Sequence, residues 1–90
     1  MDISDFIITG ILRYNRKNAV DLKVVFENGR EDTITINLSD NLMDNVNRYI
    51  SLGDKIGVKG AVHSDIYGNT QLIGTSLSIL KKNNGGDNQW

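Results

Sequence analysis

The stretch Thr33–Gly53 reads TITINLSDNLMDNVNRYISLG, and its hydrophobic period changes after Leu38. Up to that point apolar and polar residues alternate, which predicts a half-buried strand. Beyond it the apolar residues recur at helical spacing, which predicts a helix over about residues 40–51. These apolar residues are Leu42, Met43, Val46, Tyr49 and Ile50. Ser39 or Asp40 can cap the first N–H groups of the helix, and Gly53 suits the left-handed exit after it.

Four further segments have the composition of β-strands. They are rich in β-branched residues and are bounded by glycine, asparagine and aspartate. The predicted strands are Phe6–Leu12, Val20–Phe26, Lys55–His63 and Gln71–Leu80. The dipeptide Asn28-Gly29 predicts a tight hairpin between the second and third strands, because both residues accept a positive φ. The predicted element order is therefore three strands, one helix and two strands.

This order is that of an OB-fold, a five-stranded Greek-key barrel that binds oligonucleotides across its second and third strands and the neighbouring loops. We predict an all-β domain with one helix between strands three and four. An SH3-like barrel lacks a three-turn helix at that point, and a plain sandwich of strands and helix remains an alternative. The domain is predicted to span residues 1–81. Residues 82–90 hold nothing to bury before Trp90 and are predicted to form a flexible tail.

The composition excludes several classes of protein. The chain of 90 residues suits one small domain. It has no cysteine and a single histidine, His63, which argues against disulfides, a metal centre or a bound cofactor. No apolar run reaches the roughly 18 residues of a membrane span, and the N-terminus does not resemble a signal peptide. We expect a cytoplasmic protein with no membrane partner.

The charge balance and the motifs bear on function. The 10 lysines and arginines against 11 acidic residues give a net charge of −1, so a nucleic-acid site would need a local cluster of cations. The sequence has no Ser–His–Asp arrangement, no phosphate-cradling glycine loop and no signature of paired catalytic carboxylates. We therefore predict a binding protein and not an enzyme.

The segment Asp44–Gly60, DNVNRYISLGDKIGVKG, resembles bacterial and phage single-stranded-DNA-binding proteins. In that family an N-V-x-x-Y helix end runs into a G-D/S-x-V/I-x-V-x-G strand. Ile8–Leu12 is similar to the family's first strand, Leu72–Leu80 is similar to its closing strand, and the match spans about residues 6–80. The resemblance implies an OB-fold that binds single-stranded DNA without sequence preference in replication or recombination. It also implies homodimers or tetramers, with replication proteins as further partners.

Phosphate-binding cations are expected along the ligand face of such a barrel. Arg13, Arg16 and Lys17 are predicted to lie in the first loop, and no acidic residue interrupts positions 13–18. Lys23 and Lys59 are predicted to point away from the core, because they alternate with core positions of strands two and four. The full set of candidate phosphate-binding residues is Arg13, Arg16, Lys17, Lys23, Arg30, Lys55 and Lys59.

The aromatic residues divide into two groups. Tyr14 and Tyr67 lie in polar loop segments and are candidates for stacking on bases, a contact worth about 1–3 kcal/mol per base. Phe6, Phe26 and Tyr49 fall on the apolar period and are predicted to pack in the core. Truncation of Phe26 is accordingly expected to open a core cavity.

Self-association and an alternative function also follow from the pattern. Val25, Ala61 and Ile11 are predicted to be apolar residues on the outer side of the strands, and strands without proline invite edge pairing. Both features favour a homo-oligomer. The near-neutral charge and the few aromatics favour an alternative, an OB-fold protein-interaction module that serves a larger assembly without binding nucleic acid. RNA binding by the same face is a third possibility.

Overall fold

Alternating apolar residues build five strands that close into one barrel. The computed structural model describes residues 5–83. The elements are β1 (Asp5–Asn15), β2 (Ala19–Val25), β3 (Glu31–Asn37), α1 (Asp40–Tyr49), β4 (Lys55–Ser64) and β5 (Thr70–Lys81). The strand order around the barrel is β1-β2-β3-β5-β4. All neighbours are antiparallel except β3 and β5, which meet in parallel at one residue pair, Asn37 and Ile73. The predicted barrel, with its helix between strands three and four, is confirmed.

The core lies inside the barrel and under the helix. Its fully buried aliphatic residues come from every strand but β5, together with Val46 of the helix. They are Leu12, Val20, Leu22, Ile36, Val46, Ile56 and Val58. Ser39 caps α1, because its hydroxyl oxygen accepts a hydrogen bond from the Leu42 N–H at 3.3 Å. The helix ends at Tyr49, two residues earlier than predicted, since Ile50 is already extended and points into the core.

Two of the three aromatic residues predicted to be core are exposed, and that prediction was wrong for them. The ring of Phe26 is 44% exposed because β2 ends at Val25 and the period-two pattern runs on into the hairpin turn, where no second layer covers it. Truncating it therefore leaves no core cavity. Tyr49 is 60% exposed because Ile50 takes the neighbouring core position. Phe6 is half-buried and packs against the core, as predicted.

The first strand is longer than its apolar block. Arg13 and Tyr14 were predicted in a loop, but β1 continues through them to Asn15, and the loop to β2 is only residues 16–18. The register between β1 and β2 shifts between Leu12 and Tyr14, so a bulge absorbs the extra residue. Arg13 and Tyr14 therefore stand on a strand, and both are exposed.

Asp54 joins three parts of the chain at one end of the barrel. Its side chain is fully buried and accepts hydrogen bonds from the Ser51 N–H at 2.8 Å, the Lys82 Nζ at 2.6 Å and the Asn83 N–H at 2.7 Å. Burial alone would raise the pKa of Asp54, but these hydrogen bonds outweigh it and hold the pKa below its ordinary value. Its own carbonyl accepts from the Leu12 N–H at 2.9 Å. The Gly-Asp pair of the sequence motif is thus structural.

The predicted tail begins at Lys82. Lys82 and Asn83 are both bonded to Asp54, as described above. Residues 84–90 of the predicted tail, including Trp90, lie outside the described residues.

Candidate nucleic-acid interface

The strand register lines up cations from distant parts of the sequence on the outside of the barrel. Lys23 of β2 is the cross-strand partner of Ile11 of β1. Ile11 is also the partner of Lys55 of β4, and Lys55 is the partner of Lys81 of β5. Residues paired in this way point to the same face of a sheet. We call Lys23, Ile11, Lys55 and Lys81 the lysine row; at about 4.8 Å between strands it spans roughly 15 Å.

Shallow hollows follow the lysine row across the barrel. One of about 350 Å³ lies between Lys23 and Lys55 and is floored by Ile11 and Gly10. A second of about 360 Å³ joins Lys23 to Arg13. Gly10 is needed here because a Cβ at this position would lie 2.7 Å from the Lys23 carbonyl oxygen, so only glycine lets β1 and β2 approach so closely. The surface along the row is therefore concave, with an aliphatic floor and cationic walls.

The cations of the lysine row carry no carboxylate partner. Within residues 5–83, ion pairs with carboxylates form only at Arg16 and Lys82. Lys55 and Lys81 are exposed, and Lys23 is half-buried. Glu31 and Asp32 line the hollow beside Arg13 but make no salt bridge to it or to Lys23. The ammonium groups of the row are thus available to an external anion.

Arg16 differs from the other cations of the predicted loop. Its guanidinium makes two hydrogen bonds of 2.9 Å to the two carboxylate oxygens of Asp21 and lies 5.6 Å from the centre of the Tyr14 ring. The hydrogen bonds from Arg16, with a further one from the Thr35 hydroxyl, hold the pKa of Asp21 below its ordinary value despite burial. Asp21 follows the acid-free stretch 13–18, which is why the sequence gave no sign of this pairing. Lys17, beside Arg16, is exposed.

The remaining candidates lie away from the lysine row. Lys59 is exposed on β4, four residues beyond Lys55, and its cross-strand partners are Ile7 and Ser76. Arg30 is exposed in the turn between β2 and β3. Tyr67 lies at the tip of the β4–β5 hairpin, roughly 30 Å along the strand from Lys55.

The tip of that hairpin is pre-formed. The Asp65 carboxylate accepts hydrogen bonds from the Asn69 side chain at 3.1 Å, the Asn69 N–H at 3.0 Å and the Tyr67 N–H at 2.8 Å. These bonds hold the pKa of Asp65 below its ordinary value. Gly68 has a φ of 84°, which glycine adopts without strain. The turn therefore displays Tyr67, 83% exposed, next to Ile66, 91% exposed.

Lys81 is the member of the row that the sequence analysis missed. Pairing residues outward from the Tyr67-Gly68 turn in a regular hairpin would set Ile79 opposite Lys55. Two register shifts in the β4–β5 ladder, at Lys59/Gly60 and at Lys55/Ile56, bring Lys81 there instead. Bulges leave little trace in a single sequence, and the only available signal was the proximity of Lys81 to the end of the last strand.

An apolar groove lies on another side of the barrel, between α1 and β5. Its volume is about 540 Å³, and it is lined mainly by Leu42, Tyr49, Leu77 and Ile79. Tyr49 and Ile79 are 60% and 42% exposed. This groove has no cation among its described lining residues.

Comparisons with known proteins place the fold. No family model matches the sequence, and no curated protein matches it. The mitochondrial single-stranded DNA-binding protein Rim1 of S. cerevisiae superimposes with a TM-score of 0.78 at 16% identity, over 92% of this chain and 100% of Rim1. This barrel is an OB-fold. The fold expected from the family resemblance is thereby confirmed.

Two bacterial structures support the same assignment. The second single-stranded DNA-binding protein, SSBb, of Mycobacterium smegmatis has a TM-score of 0.70 at 16% identity, over 88% of this chain and 90% of SSBb. A dimeric structure of the N-terminal domain of PriB from Thermoanaerobacter tencongensis has a TM-score of 0.66 at 12% identity, over 88% and 98%. Among residues 5–83 no helix is long and apolar enough to cross a membrane.

Proposed function

We propose that this protein binds single-stranded DNA without sequence preference, through the lysine row on the outside of its OB-fold. The observation that carries the proposal is the alignment of Lys23, Lys55 and Lys81 across three strands with no carboxylate partner within the described part of the chain. Cations in a groove that track the backbone are one of the two elements of single-strand binding. The three structural neighbours named above that bind or accompany single-stranded DNA support the ligand class.

The second element is a set of flat side chains that stack on bases. Tyr14, exposed on β1 one residue after Arg13, and Tyr67, at the tip of the β4–β5 hairpin, are the candidates. The row spans roughly 15 Å, which is only part of the 4–16 nucleotides that one OB-fold covers. Arg13 and the two tyrosines therefore extend the proposed track on either side, with Lys17, Arg30 and Lys59 as outlying phosphate contacts. Replication or recombination is the proposed setting.

A titration with fluorescent oligo-dT at several salt concentrations tests the proposal. The triple variant Lys23→Ala, Lys55→Ala, Lys81→Ala should bind more weakly and should flatten the plot of log affinity against log salt by about 2, since each phosphate contact on a single strand contributes about 0.7. The control is Arg48→Ala, an exposed cation in the last turn of α1. A parent protein that does not bind oligo-dT at low salt would refute the proposed function.

The stacking contacts have a different signature in the same titration. Tyr14→Ala and Tyr67→Ala should each weaken binding by about 1–3 kcal/mol if the ring stacks on a base. The salt slope should stay unchanged, because no phosphate contact is lost. A flattened slope in either variant would contradict a stacking role. Oligo-U in place of oligo-dT shows whether RNA is bound by the same face.

Self-association is part of the proposal. Within residues 5–83, Asp5–Gly10 of β1 is paired only with β4, so its other edge has free backbone groups, and Ile7 beside it is 72% exposed. We propose a homodimer that pairs these edges, since two-fold closure is the commonest oligomer. Light scattering at tens of micromolar should give twice the 10.0 kDa of one chain. A 10.0 kDa particle would rule the dimer out.

The apolar groove between α1 and β5 favours a second candidate function. Its lining by Leu42, Tyr49, Leu77 and Ile79 suits a protein partner better than a polyanion. An OB-fold interaction module would use this groove and would leave the lysine row idle. Absence of oligo-dT binding, with no effect of the triple lysine variant, is the outcome that this alternative predicts.

A further inference from the structure

Lys55 and Lys81 oppose each other directly across the β4–β5 ladder. Like charges at directly opposed positions of an antiparallel pair destabilise it. Asp54, the acidic residue next to Lys55, gives no relief. Its carboxylate is buried and already accepts hydrogen bonds from Ser51, Lys82 and Asn83. The free protein therefore retains an unfavourable interaction that one side-chain change would remove.

The two ammonium groups border a hollow of about 390 Å³ at the end of the lysine row. The residues that line it are Ile11, Gly53, Lys55, Lys81, Lys82 and Asn83. The list contains three cations and no acid. The third cation, Lys82, is neutralised by Asp54, so the hollow has two uncompensated positive charges. An oxyanion is the ligand that such a hollow suits.

The chain that carries Lys81 is fixed in place by the residues that follow it. The Lys82 ammonium bonds both to Asp54 and, at 3.0 Å, to the Tyr49 carbonyl at the end of α1. The Asn83 side chain packs so closely on Gly53 that a Cβ at that position would collide with it. The backbone on both sides of the hollow is thus held before any ligand arrives, which lowers the entropy lost on binding.

We propose that Lys55 and Lys81 form a subsite for one phosphodiester oxyanion, and that the bound anion relieves their mutual repulsion. The phosphodiester source rests on the proposed function; the subsite for the oxyanion does not. Lys81 thereby becomes a binding residue whose removal weakens the complex and strengthens the free fold. A merely exposed lysine would do neither.

The first test measures the thermal midpoint of the free protein in chloride. Lys81→Gln should raise Tm by about 1–4 °C, which corresponds to a few tenths of a kcal/mol in a domain of this size. Lys59→Gln is the matched control. It removes the same charge from the same barrel, but the cross-strand partners of Lys59 are Ile7 and Ser76, so its Tm should not rise. An unchanged or lowered Tm in Lys81→Gln would overturn the proposal.

The second test replaces chloride by inorganic phosphate at equal ionic strength. Phosphate should raise the Tm of the parent more than that of Lys81→Gln, because only the parent has the paired lysines. An equal rise in both proteins would be general salt stabilisation and would count against the subsite.

Oligo-dT titration completes the design and separates the two proposals. If the subsite takes a nucleic-acid phosphate, Lys81→Gln alone should reduce the salt slope by about 0.7. A phosphate effect that depends on Lys81, in a protein that does not bind oligo-dT, would keep the oxyanion subsite and overturn its nucleic-acid source. Normal oligo-dT binding with an unchanged slope and Tm in Lys81→Gln would do the reverse and remove the subsite alone.

Discussion

Two groups of cations in this barrel are alike in the sequence and different in the structure. Arg16 and Lys82 each bind a carboxylate that is almost wholly buried, at 2.9 and 2.6 Å. Lys23, Lys55 and Lys81 have no such partner within residues 5–83 and are aligned by the strand register instead. The difference shows that a cation's role here depends on what the fold places opposite it, and not on the charges beside it in the chain.

The physical reason lies with the acids. A buried carboxylate is costly unless it is paired and hydrogen-bonded, so Asp21 and Asp54 each need a cation from nearby. Arg16 and Lys82 meet that need and thereby stabilise the fold. The lysine row meets no such need, and it is retained on the surface in a form that suits an external polyanion. Substitutions that separate stability from binding can test this division.

The largest expected effect is the loss of Asp54. Asp54→Ala removes the acceptor of three hydrogen bonds and leaves the Ser51 and Asn83 N–H groups without it. We expect the free energy of unfolding to fall by about 2–4 kcal/mol, measured by urea denaturation.

Asp54→Asn is the matched control for that variant. It keeps the shape of the side chain and one carbonyl acceptor but removes the charge, and it should lose less stability than the alanine variant. A loss below about 1 kcal/mol in Asp54→Ala would mean that this junction does not stabilise the barrel.

The division between the two groups also shows what a single sequence can predict. Hydrophobic period located all five strands and the helix, and it correctly placed Lys23 and Lys59 on the outer side of their strands. It failed for Phe26, because the alternation continues past the edge of the barrel, where burial ends. It also failed for Lys81, because two bulges shift the register. Both failures concern where an element meets its neighbours, which local periodicity does not encode.

The pairing of Arg16 could not be predicted for a related reason. Asp21 sits at an outward position of β2, where alternation predicts an exposed residue, yet it is buried under Arg16 and Thr35. That cover depends on the short loop that folds Arg16 back over β2 and on the neighbouring strand β3. Both are tertiary features, so the sequence alone presented Arg16 as one of three equivalent loop cations.

Acid should act on the paired group alone. The hydrogen bonds that Asp21 and Asp54 accept hold both pKa values below those of the unfolded chain. Stability from a lowered pKa is fully present above the unfolded value of about 3.9 and is lost as the pH falls through the folded value. We therefore expect Tm to be nearly constant from pH 7 to about pH 5 and to fall below about pH 4.

The Asp54→Asn variant separates this effect from general acid unfolding. Its Tm should fall less steeply below pH 4 than that of the parent, because one of the two linked groups is gone. Equal slopes in the two proteins would show that Asp54 contributes nothing to the acid sensitivity.

The smallest expected effect compares one cation from each group, in the same measurement. Lys23→Ala should reduce the slope of log affinity for oligo-dT against log salt by about 0.7 and should leave Tm nearly unchanged, since its ammonium group is unpaired in the free protein. Arg16→Ala should lower Tm, because it removes two hydrogen bonds from the buried Asp21 carboxylate, and should change the slope less than Lys23→Ala does. Thermal scanning and oligo-dT titration of both variants give the four values required. If Arg16→Ala flattens the slope as much as Lys23→Ala while Tm holds, then DNA takes Arg16 away from Asp21, and the two groups of cations form one binding surface after all.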